Sequence, residues 1–134
     1  MIRTPGCIAT DIYKYVTGSP LADAINGEVL KSIDRKPNAD TEDVVIKVLA
    51  NRPAQKQQTV INVNIYIPDF INENGQYEKN GERCDELEEI AASVFYVFHL
   101  NGARVVLDSQ TTFQEDNANA HVINNRLLYT VINE

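Results

Sequence analysis

The sequence predicts an α+β fold: a single antiparallel sheet, mixed at most, of four to five strands with helices packed on one face, in the order α-(α)-β-β-β-α-β-β. Three observations carry that expectation. Within residues 43–69, DVVIKVLANRPAQKQQTVINVNIYIPD, two β-rich runs at 44–49 and 59–67 flank a polar link and end on Pro68-Asp69. In the second run Ile61, Val63, Ile65 and Ile67 share one parity and Asn62, Asn64 and Tyr66 the other, the alternation of a half-buried strand. Residues 83–100 repeat apolar side chains at three- and four-residue spacing, the period of a helix with one buried stripe.

Along the chain, Ile8, Ile12, Tyr15 and Val16 fall on one stripe of a first helix, with Thr4 or Thr10 as its cap and Gly18 as its end. Ser19-Pro20 has the form of an N-cap followed by proline at the first helical position. It opens a short second helix through Leu21 and Ile25, stopped by Gly27. Val29 and Ile33 mark 28–33 as a short edge strand, and Arg35, Lys36, Pro37, Asn38 and Asp40 mark 34–41 as an exposed loop. The hairpin follows. Its link, 50–58, carries Pro53 and no Asn-Gly or Asp-Gly pair, so a loop longer than two residues is expected to project from the sheet.

Residues 68–82 combine Pro68 and the pairs Asn74-Gly75 and Asn80-Gly81 with Phe70, Ile71 and Tyr77. Three apolar side chains in a polar loop imply a contact, either with the chain itself or with a neighbour. In 83–100, Cys84, Leu87, Ala91, Val94, Phe95 and Phe98 form the stripe. Asp85, Glu86, Glu88 and Glu89 gather in the first turns, where the helix dipole favours anions, and Asn101-Gly102 supplies the stop. This helix is expected to lie across the apolar face of the hairpin. Strands at 103–113 and 122–132, joined by QEDNANAH, complete the sheet: Val105, Leu107 and Phe113 share a parity, as do Leu127, Tyr129 and Val131.

A chain of 134 residues, 43% apolar and 23% charged, fits one domain that buries roughly two thirds of its unfolded surface. The net charge of −7 opposes nonspecific nucleic-acid binding, which draws its affinity from Lys and Arg neutralising phosphates. The opening segment MIRTPGCIATDIYKY lacks the apolar core of a signal peptide. The longest apolar run, 91–100, is too short to span a bilayer, so the expectation is no membrane and a cytoplasmic setting or an assembly built there. Cys7 and Cys84 form no CxxC or Cys/His cluster. Two reduced thiols used as small apolar residues is the simpler reading, a single disulfide the alternative.

Chemistry is hard to find. His99 and His121 have no Ser or Cys motif set by spacing, and structural or surface roles suit them better than catalysis. Asp85, Glu86, Glu88 and Glu89 are explained by capping and solubility rather than by a metal or an acid/base pair. Gly75 and Gly81 belong to no phosphate-binding glycine pattern, and Lys14, Arg35, Lys36, Arg52 and Lys56 are scattered rather than set in a stripe. No catalytic residue, cofactor or metal is expected.

The segments DIYKYVTGSPLADAINGEVLKS, RKPNADTEDVVIKVL and QTVINVNIYIPD resemble the tail-terminator or tail-completion proteins of long-tailed bacteriophages, the group that includes the lambda protein U. The likeness lies in a helix followed by a Gly-initiated strand, an Arg-x-Pro loop leading into Glu42-Asp43-Val44-Val45-Ile46, and Val63-Asn64-Ile65-Tyr66 before a Pro-Asp break. It implies a non-enzymatic structural protein of a phage or prophage virion tail, assembled in the bacterial cytoplasm. Such a subunit joins a homo-oligomeric ring, commonly a hexamer, that caps the tail tube and joins it to the head. The partners implied are tail-tube and head-tail connector proteins, with DNA passing through without specific binding.

Arg35, Pro37, Glu42 and Asp43 match the loop-to-strand junction of that pattern, with turn chemistry and strand punctuation as the competing role. With Arg52, Gln55, Lys56, Phe70, Ile71 and Tyr77 of the expected projecting links, they are the candidate subunit interface. Two other readings stand beside it: a head-tail connector, neck or tube protein, and a small hydrolase using His99 or His121 with an acidic partner. The polar Asn62, Asn64 and Tyr66 face of the hairpin is expected to be free for other subunits.

Overall fold

A computed structural model describes residues 2–37, 39–52, 54–116 and 118–132; Asn38, Pro53 and Asn117, named above, lie outside them. The chain runs α1 (Pro5–Thr17), α2 (Pro20–Ala24), β1 (Val29–Lys31), β2 (Asp43–Arg52), β3 (Lys56–Pro68), β4 (Phe70–Ile71), β5 (Tyr77–Glu78), α3 (Gly81–Phe95), β6 (Val97–Leu100), β7 (Ala103–Gln114) and β8 (Ala120–Ile132). The fold is mixed α+β. Six strands form one sheet in the order β1-β2-β3-β8-β7-β6, and β4 with β5 makes a separate two-stranded ribbon.

The centre of the sheet is β3 against β8, paired antiparallel from Lys56↔Ile132 to Pro68↔Ala120 without a shift of register. Because a strand alternates its side chains, this register puts Ile61, Ile65, Ile123 and Leu127 on one face. All four are fully buried, in one core with Ile8, Ile12 and Val16 of α1 and Leu87, Ala91 and Phe95 of α3. α1 packs on β1 and β2, α3 on β7 and β8, and α2 bridges the two longer helices.

Local chemistry sets the helix starts. Thr4 caps α1 by accepting the Cys7 N–H at 3.2 Å, with Pro5 at the first helical position. Ser19 has the extended backbone of an N-cap, but its hydroxyl donates back to the Val16 carbonyl at 2.6 Å, so it closes α1 rather than capping α2. Asn80 caps α3 by accepting the Arg83 N–H. Tyr15 ties α1 to α3: its hydroxyl donates to the Val94 carbonyl at 2.6 Å and its ring stacks on Phe98 with centroids 3.9 Å apart.

The sheet has six strands where four to five were expected and differs from the expectation in two places, while its mixed pairing lies within it. The helix expected over 83–100 ends at Phe95, and Val97–Leu100 is a sixth, edge strand paired with β7. Asn101 and Gly102, with φ of 48° and 83°, are the two-residue turn between them, with the positive φ at both positions that a tight hairpin turn requires. The helical stripe misled because Phe98 is buried in either conformation. The link expected at 50–58 is shorter, since β2 extends to Arg52 and β3 begins at Lys56. The short strand expected near 28–33 is present at the sheet edge as β1, where it pairs parallel with β2 and so makes the sheet mixed.

Phe95 is fully buried and touches Phe98 at a centroid distance of 6.3 Å. Replacing it with alanine should cost about 3–5 kcal/mol. Urea unfolding monitored by circular dichroism should show the loss, and a wild-type midpoint would mean that α3 does not cover the sheet.

Candidate functional site

Two polar clusters pin opposite ends of the sheet, and they decide which candidate interface residues are free. At the end formed by the start of β2 and the end of β3, Glu42 receives Arg83 of α3 in a two-pronged ion pair, Nε to Oε2 at 2.5 Å and Nη2 to Oε1 at 2.8 Å. Nη2 also donates to the Ala24 carbonyl, and the Glu42 N–H donates to Asn26 Oδ1. The carboxylate raises the Arg83 pKa, first through the hydrogen bond. Beside it Arg35 donates from Nε to Asp43 Oδ2 at 3.1 Å and from Nη2 to the Ala39 and Thr41 carbonyls, while its guanidinium lies over the Tyr66 ring. Asp43 Oδ1 also accepts the Glu28 N–H. A Cβ at Gly27 would meet Asp43 Oδ1 at 2.2 Å and the Glu42 carbonyl at 2.3 Å, so only glycine admits this approach.

Arg35, Glu42 and Asp43 are thus 9%, 5% and 6% exposed, committed to the interior of their own chain. Burial of paired charges fits the punctuation role, and it commits most of the polar atoms of these side chains to partners within their own chain. Pro37 remains exposed on the loop.

At the opposite end the chain start is stitched down. The Arg3 carbonyl accepts from Gln57 Nε2 at 2.7 Å and Asn51 Nδ2 at 3.1 Å, and Arg3 Nη1 and Nη2 donate to the Tyr129 hydroxyl and the Asn101 carbonyl. Thr59 donates to Asn51 Oδ1, completing a polar end to an otherwise apolar core. Arg52, Gln55 and Lys56 stand exposed on the β2–β3 turn at this same end.

Phe70, Ile71 and Tyr77 lie on the β4–β5 ribbon, 45%, 61% and 55% exposed. The ribbon is held by its own turn, in which Asn72 Oδ1 accepts the Asn74 and Gln76 N–H groups and Gly75 takes φ of 77°. Of the two contacts the sequence left open for these side chains, the chain itself supplies little. The structure therefore separates the candidate residues into a ribbon and a hairpin tip. Between them β3 spans thirteen residues, roughly 40 Å at about 3.3 Å per residue.

The sheet face away from the helices is partly polar. Asn124 Nδ2 donates to Asn64 Oδ1 at 2.7 Å, and Tyr66 is half-covered by Arg35, so the Asn62, Asn64 and Tyr66 face is less free than its composition implies. An apolar row, Val97, Val106, Leu128 and Val60, crosses this face in register. Each of these residues is an isolated apolar side chain on this face of its own strand, and only the cross-strand register lines them up.

His99 is exposed on β6. His121 Nδ1 lies 2.7 Å from Asp69 Oδ1, a histidine-carboxylate pair with side chains 16% and 5% exposed. Asp69 borders a cavity of about 140 Å³ shared with Arg35, Tyr77 and Glu115, whose lining does not include the imidazole. Cys7 is exposed and Cys84 buried, both free thiols, and burial pushes the Cys84 thiol up, away from the nucleophilic thiolate. Among the described residues no group of three or more His, Cys, Asp or Glu is placed to hold a metal, and no helix is long and apolar enough to cross a membrane.

Two measurements check this description. Glu42→Ala leaves Arg83 with only the exposed Glu86 as a carboxylate partner and should cost about 3 kcal/mol in urea unfolding. Burial raises the pKa of Tyr15, Tyr66 and Tyr129 above 10.0 and of Cys84 above 9.0, with Glu115 adding to the shift at Tyr66 and Arg3 opposing it at Tyr129. Ionisation therefore favours the unfolded chain. The stability these groups contribute is whole below those values and is lost as pH rises through them, so the melting temperature should begin to fall above about pH 9. A melting temperature that stays flat as pH rises past the ordinary tyrosine value would contradict their burial. No protein-family model matches the chain, and no curated protein is significantly similar to it.

Proposed function

We propose that this chain is a non-enzymatic structural subunit of a phage or prophage tail, resembling the tail terminator that forms a ring on the tail tube and joins it to the head. The observation that carries the reading is the β4–β5 ribbon, which holds Phe70, Ile71 and Tyr77 in solvent on a scaffold pinned at its base. The pairing Ile71↔Tyr77 and Phe70↔Glu78 puts Ile71 and Tyr77 on one face of the ribbon and Phe70 on the other, and large apolar side chains left half exposed in this way mark an association surface. A ring needs two different patches on each subunit, one to meet the next copy and one to be met. The ribbon and the β2–β3 tip, at opposite ends of the sheet, have that disposition. The resemblance of the sequence segments supplies the identity of the assembly, and the acidic net charge suits a lumen through which duplex passes without capture.

A connector, neck or tube subunit is the second reading, and the same surfaces serve it. The hydrolase reading has one observation in its favour, the His121–Asp69 pair. Among the described residues, however, the imidazole is hydrogen-bonded to that carboxylate and to no hydroxyl or thiol that it would activate.

Electron microscopy of the concentrated protein should show closed single-layer rings. Long stacks would favour the tube subunit, and particles of monomer size alone would remove the ring. Phe70→Ser with Ile71→Ser and Tyr77→Ser should abolish rings while leaving the melting temperature near that of the parent, since all three side chains are exposed.

A further inference from the structure

The two ends of the sheet carry opposite charge around apolar centres. On the ribbon, Phe70, Ile71 and Tyr77 are accompanied by exposed Glu73 and Glu78, with one exposed cation, Lys79, directly after β5. At the other end Leu49 and Ile132 are 54% and 67% exposed. They stand with exposed Arg52, Lys56 and Arg104, and Lys56 lies directly opposite Ile132 in the ladder. Residues 49–58 and 99–104 contain no Asp or Glu.

We infer that the acidic ribbon of one copy docks on the basic β2–β3 tip of the next. This rests on the reading of the chain as a self-assembling subunit and specifies which surface meets which. Three physical facts point the same way. The two ends are roughly 40 Å apart, several times the Debye length of about 10 Å at 0.1 M salt, so within one chain neither end neutralises the other. Ribbon against ribbon, or tip against tip, sets like charges face to face, which disfavours a two-fold dimer through either surface. Ribbon against tip pairs carboxylates with cations and covers exposed apolar side chains on both surfaces. The contact is heterologous, and copies joined through it continue head to tail until they close.

The experiment is a charge swap. One variant carries Arg52→Glu with Lys56→Glu, the other Glu73→Lys with Glu78→Lys; all four positions are exposed, and circular dichroism checks that both variants fold. Sedimentation of wild-type protein over a concentration series should show self-association that weakens as salt is raised. Each variant alone should associate at least about tenfold more weakly, and an equimolar mixture should regain association in assemblies that alternate the two variants, because each retains one native end and the two altered ends attract. Wild-type protein that stays monomeric throughout overturns this docking together with the assembly reading. Wild-type protein that assembles while both variants assemble equally well overturns the docking and leaves the assembly reading standing.

Discussion

The structure depends on the alternation of the two central strands. β3 and β8 run antiparallel over thirteen residues each in unbroken register, so one parity of both strands is delivered to the same face and the other parity to the opposite face. A slip of one residue would turn Ile61, Ile65, Ile123 and Leu127 into solvent and the asparagines into the core. Everything else attaches to that choice. The three helices cover the apolar parity, β2 and β7 extend it on either side, and the other face keeps Asn64 with Asn124 across the ladder.

Because helices cover only one face, the ends of the sheet must be closed by polar contacts. Buried charge is tolerated there only where each donor finds an acceptor, which explains the arrangement of Glu42 with Arg83 and of Arg35 with Asp43, Ala39 and Thr41. Glycine at position 27 lets β2 begin against the turn that follows α2. These contacts hold Arg35, Ala39, Thr41 and the start of α3 together, and so they steady the base from which the ribbon projects. The same physics buries Arg35, Glu42 and Asp43 in their own chain and concentrates interest on side chains that have water as their neighbour.

Much of the fold was legible from spacing. The parity of residues 61–67, the stripe of Ile8, Ile12 and Val16, and the stripe of Cys84, Leu87, Ala91 and Phe95 each contain their answer within a few turns or strand positions. The edge strand β6 was not legible, because Asn101-Gly102 serves equally as a helix stop and as a tight hairpin turn. Only pairing with β7 separates the two. Of the surface, Phe70, Ile71 and Tyr77 were recognisable as apolar residues in a polar loop, whereas Leu49 and Ile132 were not: Leu49 is exposed where the β2–β3 register shifts, and Ile132 because it stands at the strand terminus.

The sequence by itself determined the type of most elements and the face that each buries, since helix and strand periods and caps act between residues near in sequence. Tertiary structure alone decided the partners of the charges. Glu42 and Arg83 are 41 residues apart, and Asp69 and His121 are 52 apart. No local spacing encodes such a meeting; it arises when the sheet order brings the start of β2 beside α3 and the end of β3 beside the start of β8. The division of the exposed residues into an acidic, apolar ribbon and a basic tip has the same origin, because the direction of each strand assigns its turns to one end of the sheet or the other.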